Sequence, residues 1–213
     1  MSATLDMTTM YAMHHALRRE LEQIAKITSR IDDDPRKILA TAAGWRLFTK
    51  SLHIHHTAED DALWPVMRET LAARPSELAL LDAMEAEHGA VDPLIEAIEA
   101  AFADRESGSQ RLGDLVDALV TVLVGHLEHE EKQALPLIQA TVTLPQWQAF
   151  GQLHGSRIGP DAPQLIPWLL DGADERTVDT VLAPLPEQVR AAYFHQWKPA
   201  YIALDRWSAD TSK

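Results

Sequence analysis

Apolar residues recur every three or four positions through most of the first 140 residues, and strand-like alternation is scarce. That spacing predicts four long helices. The first runs from Thr8 to about Arg30, with LRRELEQIAKI as its amphipathic body. The second begins after Asp32-Asp33-Asp34, where Asp34 suits an N-cap and Pro35 the first helical position, and runs to about Trp64-Pro65. The third starts near Pro75-Ser76 and reaches about Ala103; Pro93, shortly after Gly89, is expected to bend or split it. A polar loop over 105–109 leads into the fourth, from about Leu112 to Leu135-Pro136. Four long helices with short connections predict an all-α, up-down-up-down four-helix bundle over residues 1–142.

Residues 143–213 carry a different pattern. They hold most of the prolines and four of the six tryptophans: Trp147, Trp168, Trp197 and Trp207. Short helices are expected at Pro145 to His154, Pro163 to Leu170, Glu175 to Leu182 and Pro186 to about Trp207. Each is too short to enclose a core, so the segment is expected to be a helical C-terminal extension packed on the bundle through its aromatics.

Composition narrows the function classes. The net charge of -13, with 32 acidic against 19 basic residues, argues against binding nucleic acid or anionic membranes. No apolar run is long enough to span a bilayer, and the start of the chain does not read as a signal peptide. The absence of cysteine excludes disulfides, thiolate ligands, iron–sulfur clusters and cysteine nucleophiles. A cytoplasmic location is the default expectation.

The ten histidines change the picture most. His55 and Glu59 in HHTAEDDALWP stand four apart, with a proline six beyond the glutamate; His126 and Glu130 in HLEHEEKQALP repeat the pattern. Residues four apart share a helix face, so each pair offers a nitrogen and an oxygen to one point. Phe48, Leu52 and Leu63 flank the first pair, and Leu119, Val122, Leu123 and Leu127 the second, so both faces point inward. Helix one adds His15 and helix three His88, each amid apolar positions. Buried imidazoles and carboxylates need partners or a cation. Imidazole and carboxylate without thiolate suit iron, manganese or zinc, and two such carboxylates can bridge two ions. His14 in place of His15, or His56 with Asp60 in place of His55 with Glu59, would meet a similar spacing; the repeated proline offset argues for His55 with Glu59. His56 and His129 flank the ligand faces as outer donors or solvated residues. His154 and His195 fall outside the bundle and are expected to be hydrogen-bonded residues of the extension.

HHALRREL, HHTAEDDALWP, EAEHGAVDP and HLEHEEKQALP together resemble the hemerythrin-like (HHE cation-binding) family over about residues 10 to 140, and the extension resembles that of some bacterial members. The resemblance implies two non-heme iron ions, oxo- or hydroxo-bridged, held by His15, His55, Glu59, His88, His126 and Glu130. The oxygen carriers of the family have two histidines four apart on the third helix. Here Met84 and Asp92 flank His88 at those offsets. The carriers also close their last motif with an aspartate five beyond the histidine, where this chain has Glu130 at four.

Two six-coordinate ions need roughly twelve bonds, and four histidines with two bridging carboxylates and an oxo bridge give about ten. The site is therefore expected to be one ligand short of the carriers, with Asp92, Glu85 or Tyr11 as further donors. An open position favours chemistry at the metal. The expected function is binding or reduction of hydrogen peroxide, dioxygen or nitric oxide in oxidative or nitrosative stress, with peroxide disproportionation foremost. The alternative is a non-catalytic oxygen- or iron-binding or sensing protein, and a bundle holding only zinc is a third reading.

Overall fold

The computed structural model describes residues 4–29, 34–104 and 107–208. Arg30, Asp32, Asp33, Arg105 and Glu106, on which some expected helix ends and part of the expected loop fall, lie outside the described residues. Among the described residues there is no strand, and the architecture is the all-α bundle with C-terminal helices that the periodicity predicts.

The first bundle helix, α1, spans Thr8–Thr28. The expected second helix is divided into α2 (Pro35–Thr41), α3 (Ala43–Ala62) and α4 (Trp64–Thr70). Asp34 caps α2 by accepting from the Arg36 N–H, with Pro35 opening the helix. The break after α2 comes at Ala42, whose backbone is extended. Beyond it, Gly44 donates its N–H to the Arg206 carbonyl at 2.8 Å, and a Cβ at Gly44 would run into the Trp207 ring. A close approach of the chain's C-terminal part thus sets where α3 begins. The break before α4 falls at Leu63, just ahead of Trp64-Pro65, because Pro65 has no N–H to continue the ladder.

Helix α5 runs unbroken from Pro75 to Ala103. Pro93 does not split it. The carbonyl that Pro93 leaves without a partner belongs to Gly89, and both residues are exposed, so water can satisfy it. Helix α6 (Gly108–His129) begins four residues earlier than the apolar pattern suggests. It continues through a five-residue π turn, Glu130–Ala134, into α7 (Leu135–Thr141). In that turn the Leu135 N–H donates to the Glu130 carbonyl, five residues back. Pro136 accounts for the wider turn, since its ring would strike the Lys132 carbonyl in a regular α-helix. The same arrangement recurs at Tyr193–Trp197, ahead of Lys198-Pro199.

The C-terminal part comprises α8 (Leu144–Ile158), α9 (Ala162–Leu169), α10 (Glu175–Leu182), α11 (Glu187–Ala192) and α12 (Lys198–Ala203). Helix α8 opens with a capping box between Thr143 and Gln146 and lies along α3. Arg157 on α8 pairs with Asp61 at 2.5 Å. Arg19 on α1 donates to the Trp168 and Asp171 carbonyls at 2.8 and 2.6 Å. Leu165, Trp168, Leu169 and Tyr201 share one apolar cluster with Leu17, Phe48 and Leu119 of the bundle.

A second apolar cluster, around Met10, Leu63, Trp64, Leu81, Met84, Leu135 and Phe150, fills the other end of the bundle. Each bundle helix passes from one cluster to the other at one level: between Met10 and Met13, Ile54 and Ala58, Met84 and Val91, and Leu127 and Ala134. His55, His56, His88 and Glu130 lie in those intervals, and His14, Glu59 and His126 one residue outside them. Among the described residues, no helix is long and apolar enough to cross a membrane.

Candidate metal centre

Seven polar side chains meet at this level, each no more than 5% exposed: His14, His55, His56, Glu59, His88, His126 and Glu130. Their donor atoms form two groups among the described residues, His56 with His88 and His126, and His14 with His55 and Glu130. Within each group the donor atoms lie within 4.8 Å of one another. His56 and His88 stack at 3.9 Å, 7° from parallel, and the His126 ring stands edge-on to both.

The two carboxylates, Glu130 of the second group included, each reach histidines of both groups. Glu59 Oε1 is 3.6 Å from His55 Nε2, and its Oε2 is 3.5 Å from His88 Nε2. Glu130 Oε2 is 3.1 Å from His14 Nε2 and 3.8 Å from His126 Nε2. Each glutamate therefore touches one imidazole of either group, which is the placement a bridging carboxylate requires.

Three of the rings are held from behind. His14 Nδ1 is 2.9 Å from Glu131, His88 Nδ1 is 2.8 Å from Asp60, and His126 Nδ1 is 3.0 Å from Glu87. Arg18 fixes Glu131 in turn at 2.7 Å, and Glu87 also takes His129 Nδ1 at 2.7 Å. An Nδ1–H donated to a carboxylate leaves the Nε2 lone pair facing into the site, the tautomer a metal ligand needs.

The inward atoms lack ordinary partners. Both oxygens of Glu59 and of Glu130, and Nε2 of His56, His88 and His126, are buried without a hydrogen bond among the described residues. His14 Nε2 and His55 Nε2 face each other at 3.3 Å. Burial pushes His55, His56 and His126 below the usual imidazole range, which keeps them neutral and able to coordinate. Burial, and then the charge of Glu130, drives Glu59 well above the usual carboxylate range. For His14, burial works the other way, but Glu130 and Glu131 outweigh it and raise the ring to about 9. In the absence of a cation, a proton on His14 takes the cation's place. Two carboxylates and five imidazoles converging without donors between them fit metal ions well.

The structure brings together His55, Glu59, His88, His126 and Glu130 of the set expected from the sequence. It does not bring in His15, which is exposed and lines a surface pocket with Tyr11, Asp174 and Arg176. His14 takes that inward place. The pattern Met10, His14, Leu17, Leu21, Ile24 is the buried stripe of α1, and His15 lies off it. Three other expected donors also face away: Tyr11 is 40% exposed, Asp92 is exposed, and Glu85 is exposed and paired with Arg68 at 2.5 Å. His129 is half-buried and bonded to Glu87. His56 lies inside, because α3 is buried on a face wide enough to take in His55 and His56 together.

Sequence reasoning passed over Glu87 and Glu131 and weighed Asp60 only as an alternative ligand beside His56; all three act on a histidine of another helix. It also placed His154 outside the site. Its ring lies 6.4 Å from that of His55, and burial pushes its pKa down to about 4.

These positions give a direct contrast. His14→Ala is expected to lower metal content sharply, and His15→Ala to leave it unchanged, both measured by elemental analysis of natively purified protein. Equal loss from the two variants would return His15 to the site.

The family model of the hemerythrin HHE cation-binding domain matches residues 6–138, the stretch that contains all seven converging side chains. No curated protein and no solved structure matches the chain.

Proposed function

Because the chain belongs to the hemerythrin HHE cation-binding family and its helices converge seven buried donors on one level, we propose that it holds two iron ions and uses them to bind or reduce a small oxidant. The observation that carries this reading is the position of Glu59 and Glu130, each between the two histidine groups. His56, His88 and His126 would hold one ion and His14 and His55 the other, with Glu59 and Glu130 shared between them. Bound iron supplies the electrons for chemistry with dioxygen, hydrogen peroxide or nitric oxide. The protein's own part is to orient the rings through Asp60, Glu87 and Glu131 and to keep bulk water out with the apolar clusters on either side.

The donor count corrects one expectation. With His56 as a fifth imidazole the site is not one ligand short of the oxygen carriers. Five imidazoles, two bridging carboxylates and one bridging oxygen supply roughly eleven of about twelve bonds. That count would leave one exchangeable position, on the side of His14 and His55. A single position suits reversible binding as well as turnover, so the argument from a missing ligand no longer favours peroxide disproportionation.

Metal content and an optical spectrum on natively purified protein, before and after hydrogen peroxide, test the proposal. Near two irons per chain with near-ultraviolet charge-transfer bands are expected. Oxygen evolution would assign turnover, and a reversible spectral change without it would assign binding. Zinc alone, with no iron taken up on anaerobic reconstitution, would sink the diiron reading.

A further inference from the structure

Among the described residues, the hydrogen bonds and ion pairs that join the C-terminal extension to the bundle fall on α1 and α3, the helices that carry His14 and His55. One polar path runs from α1 across the extension to α3. Glu20 of α1 is 1% exposed and accepts from Arg19 Nε at 2.8 Å. Arg19 donates in turn to the Trp168 and Asp171 carbonyls at the end of α9, at 2.8 and 2.6 Å. The Asp171 carboxylate accepts from Arg206 at 2.8 Å and from the Tyr201 hydroxyl at 3.2 Å. The Arg206 carbonyl then takes the Gly44 N–H at the start of α3. Two further ties lie on α3 on either side of His55: Lys50 with Asp161, and Asp61 with Arg157 at 2.5 Å.

The apolar contacts follow the same plan. Met13 directly precedes His14, and Ile54 directly precedes His55. Both face Ile158 and Leu165 of the extension across a space of about 10 Å³. Packing this close passes a displacement on instead of absorbing it. His88 and His126 are supported differently. They stand on α5 and α6, which lie along each other, and Glu87 of α5 holds His126 at 3.0 Å. Metal ligands have to be held within about half an ångström of their working geometry. His14 Nε2 and His55 Nε2 are 3.3 Å apart, and the spacing of α1 and α3 sets that distance.

We propose that the C-terminal extension is a clamp across α1 and α3 that raises the affinity of the His14 and His55 half of the site for its ion, with Arg19 and Glu20 as positioning residues. Such coupling is reciprocal, so an ion on this half holds the extension down by the same factor. The half built on α5 and α6 does not depend on the clamp. The inference rests on the proposed function only in taking this layer to bind two ions, whichever metal they are.

Two measurements on the full chain test it. The first is a cobalt titration with chelator competition, followed by visible absorption. Arg19→Gln combined with Glu20→Gln removes the ion pair without leaving either charge buried alone. One of the two ions is expected to bind about tenfold more weakly in this variant, within the usual range for linked sites, and the other as in the wild type. Two ions bound as in the wild type, or both weakened alike, would overturn the clamp. The second measurement does not require that variant to fold. Hydrogen exchange is compared between metal-free and zinc-loaded wild-type protein and zinc-loaded His14→Ala. Zinc is expected to slow exchange in α8 and α9 as well as in α5 and α6. In His14→Ala the protection of α5 and α6 should remain, and that of α8 and α9 should be lost. Protection of α8 and α9 that survives in His14→Ala, or none in the wild type, would also overturn it. Cobalt binding without iron uptake would count against the iron reading alone, and wild-type protein that takes up no divalent ion would overturn both.

Discussion

Removing the metal is expected to lower the melting temperature by about 15 °C or more, because each ion bound well below its working concentration contributes several kcal/mol to the folded state. The reason lies in the layer between the two apolar clusters. Glu59 and Glu130 are fully buried, and none of their oxygens accepts a hydrogen bond among the described residues. Without a cation, Glu59 is forced toward its protonated form and His14 must carry a proton. Both adjustments cost stability relative to a metal-filled site. Thermal melts followed by circular dichroism, on chelator-treated and iron-reconstituted protein, give the comparison directly. Superimposable curves would mean that the polar layer is satisfied without metal.

Glu59→Leu is expected to change sign between the two states. In the metal-free protein it removes a buried carboxylate that has no hydrogen-bond partner and fills the space with hydrocarbon. Similar replacements of buried ionic groups stabilise by about 1–4 kcal/mol, or roughly 3 to 15 °C for a chain of this size. In the presence of iron the same variant loses a bridging ligand, so metal content should fall to background and the gain on reconstitution should vanish. A variant destabilised in both states would identify Glu59 as a structural partner of His55 and His88. Opposite signs in the two states would mark a residue kept for binding at the expense of the fold.

The helices and the site were legible to different degrees, for identifiable reasons. The four bundle helices follow from the spacing of apolar residues, and the Asp34-Pro35 start from local capping chemistry. The breaks in the second helix were less legible. The one at Ala42 depends on Trp207 closing on Gly44, a contact far away in sequence. The HxxxE pairs gave His55, Glu59, His126 and Glu130 because ligand spacing along one helix is a local property. The choice between His14 and His15 was also local: His14 continues the stripe of Met10, Leu17 and Leu21, and that register would have decided it. His56 and His154 were not legible in this way. His56 is buried by His88 of α5 and His126 of α6, while His154 of α8 covers the neighbouring His55, and no periodicity within α3 reports either contact. The orienting carboxylates Asp60, Glu87 and Glu131 were hidden for a similar reason, since each serves a histidine on a different helix.

The π turn at Glu130–Ala134 has a consequence for how this helix can vary. A turn that takes one more residue than usual shifts everything after it by roughly 100° relative to a continuous α-helix. Leu135 and Ile138 are buried after the turn, and Leu123 and Leu127 before it. The extra residue therefore lets the two stretches keep separate phases, one aligned on His126 and Glu130 and the other on the apolar end of the bundle. In geometric terms the turn accommodates one residue more than a regular α-helical turn. Deleting Lys132 or Gln133, both exposed, would swing Leu135 and Ile138 by roughly 100° away from the core and leave the Pro136 ring against the carbonyl then four residues back. The spacing of the ligands and the packing beyond them can thus drift independently while the helix remains one rod.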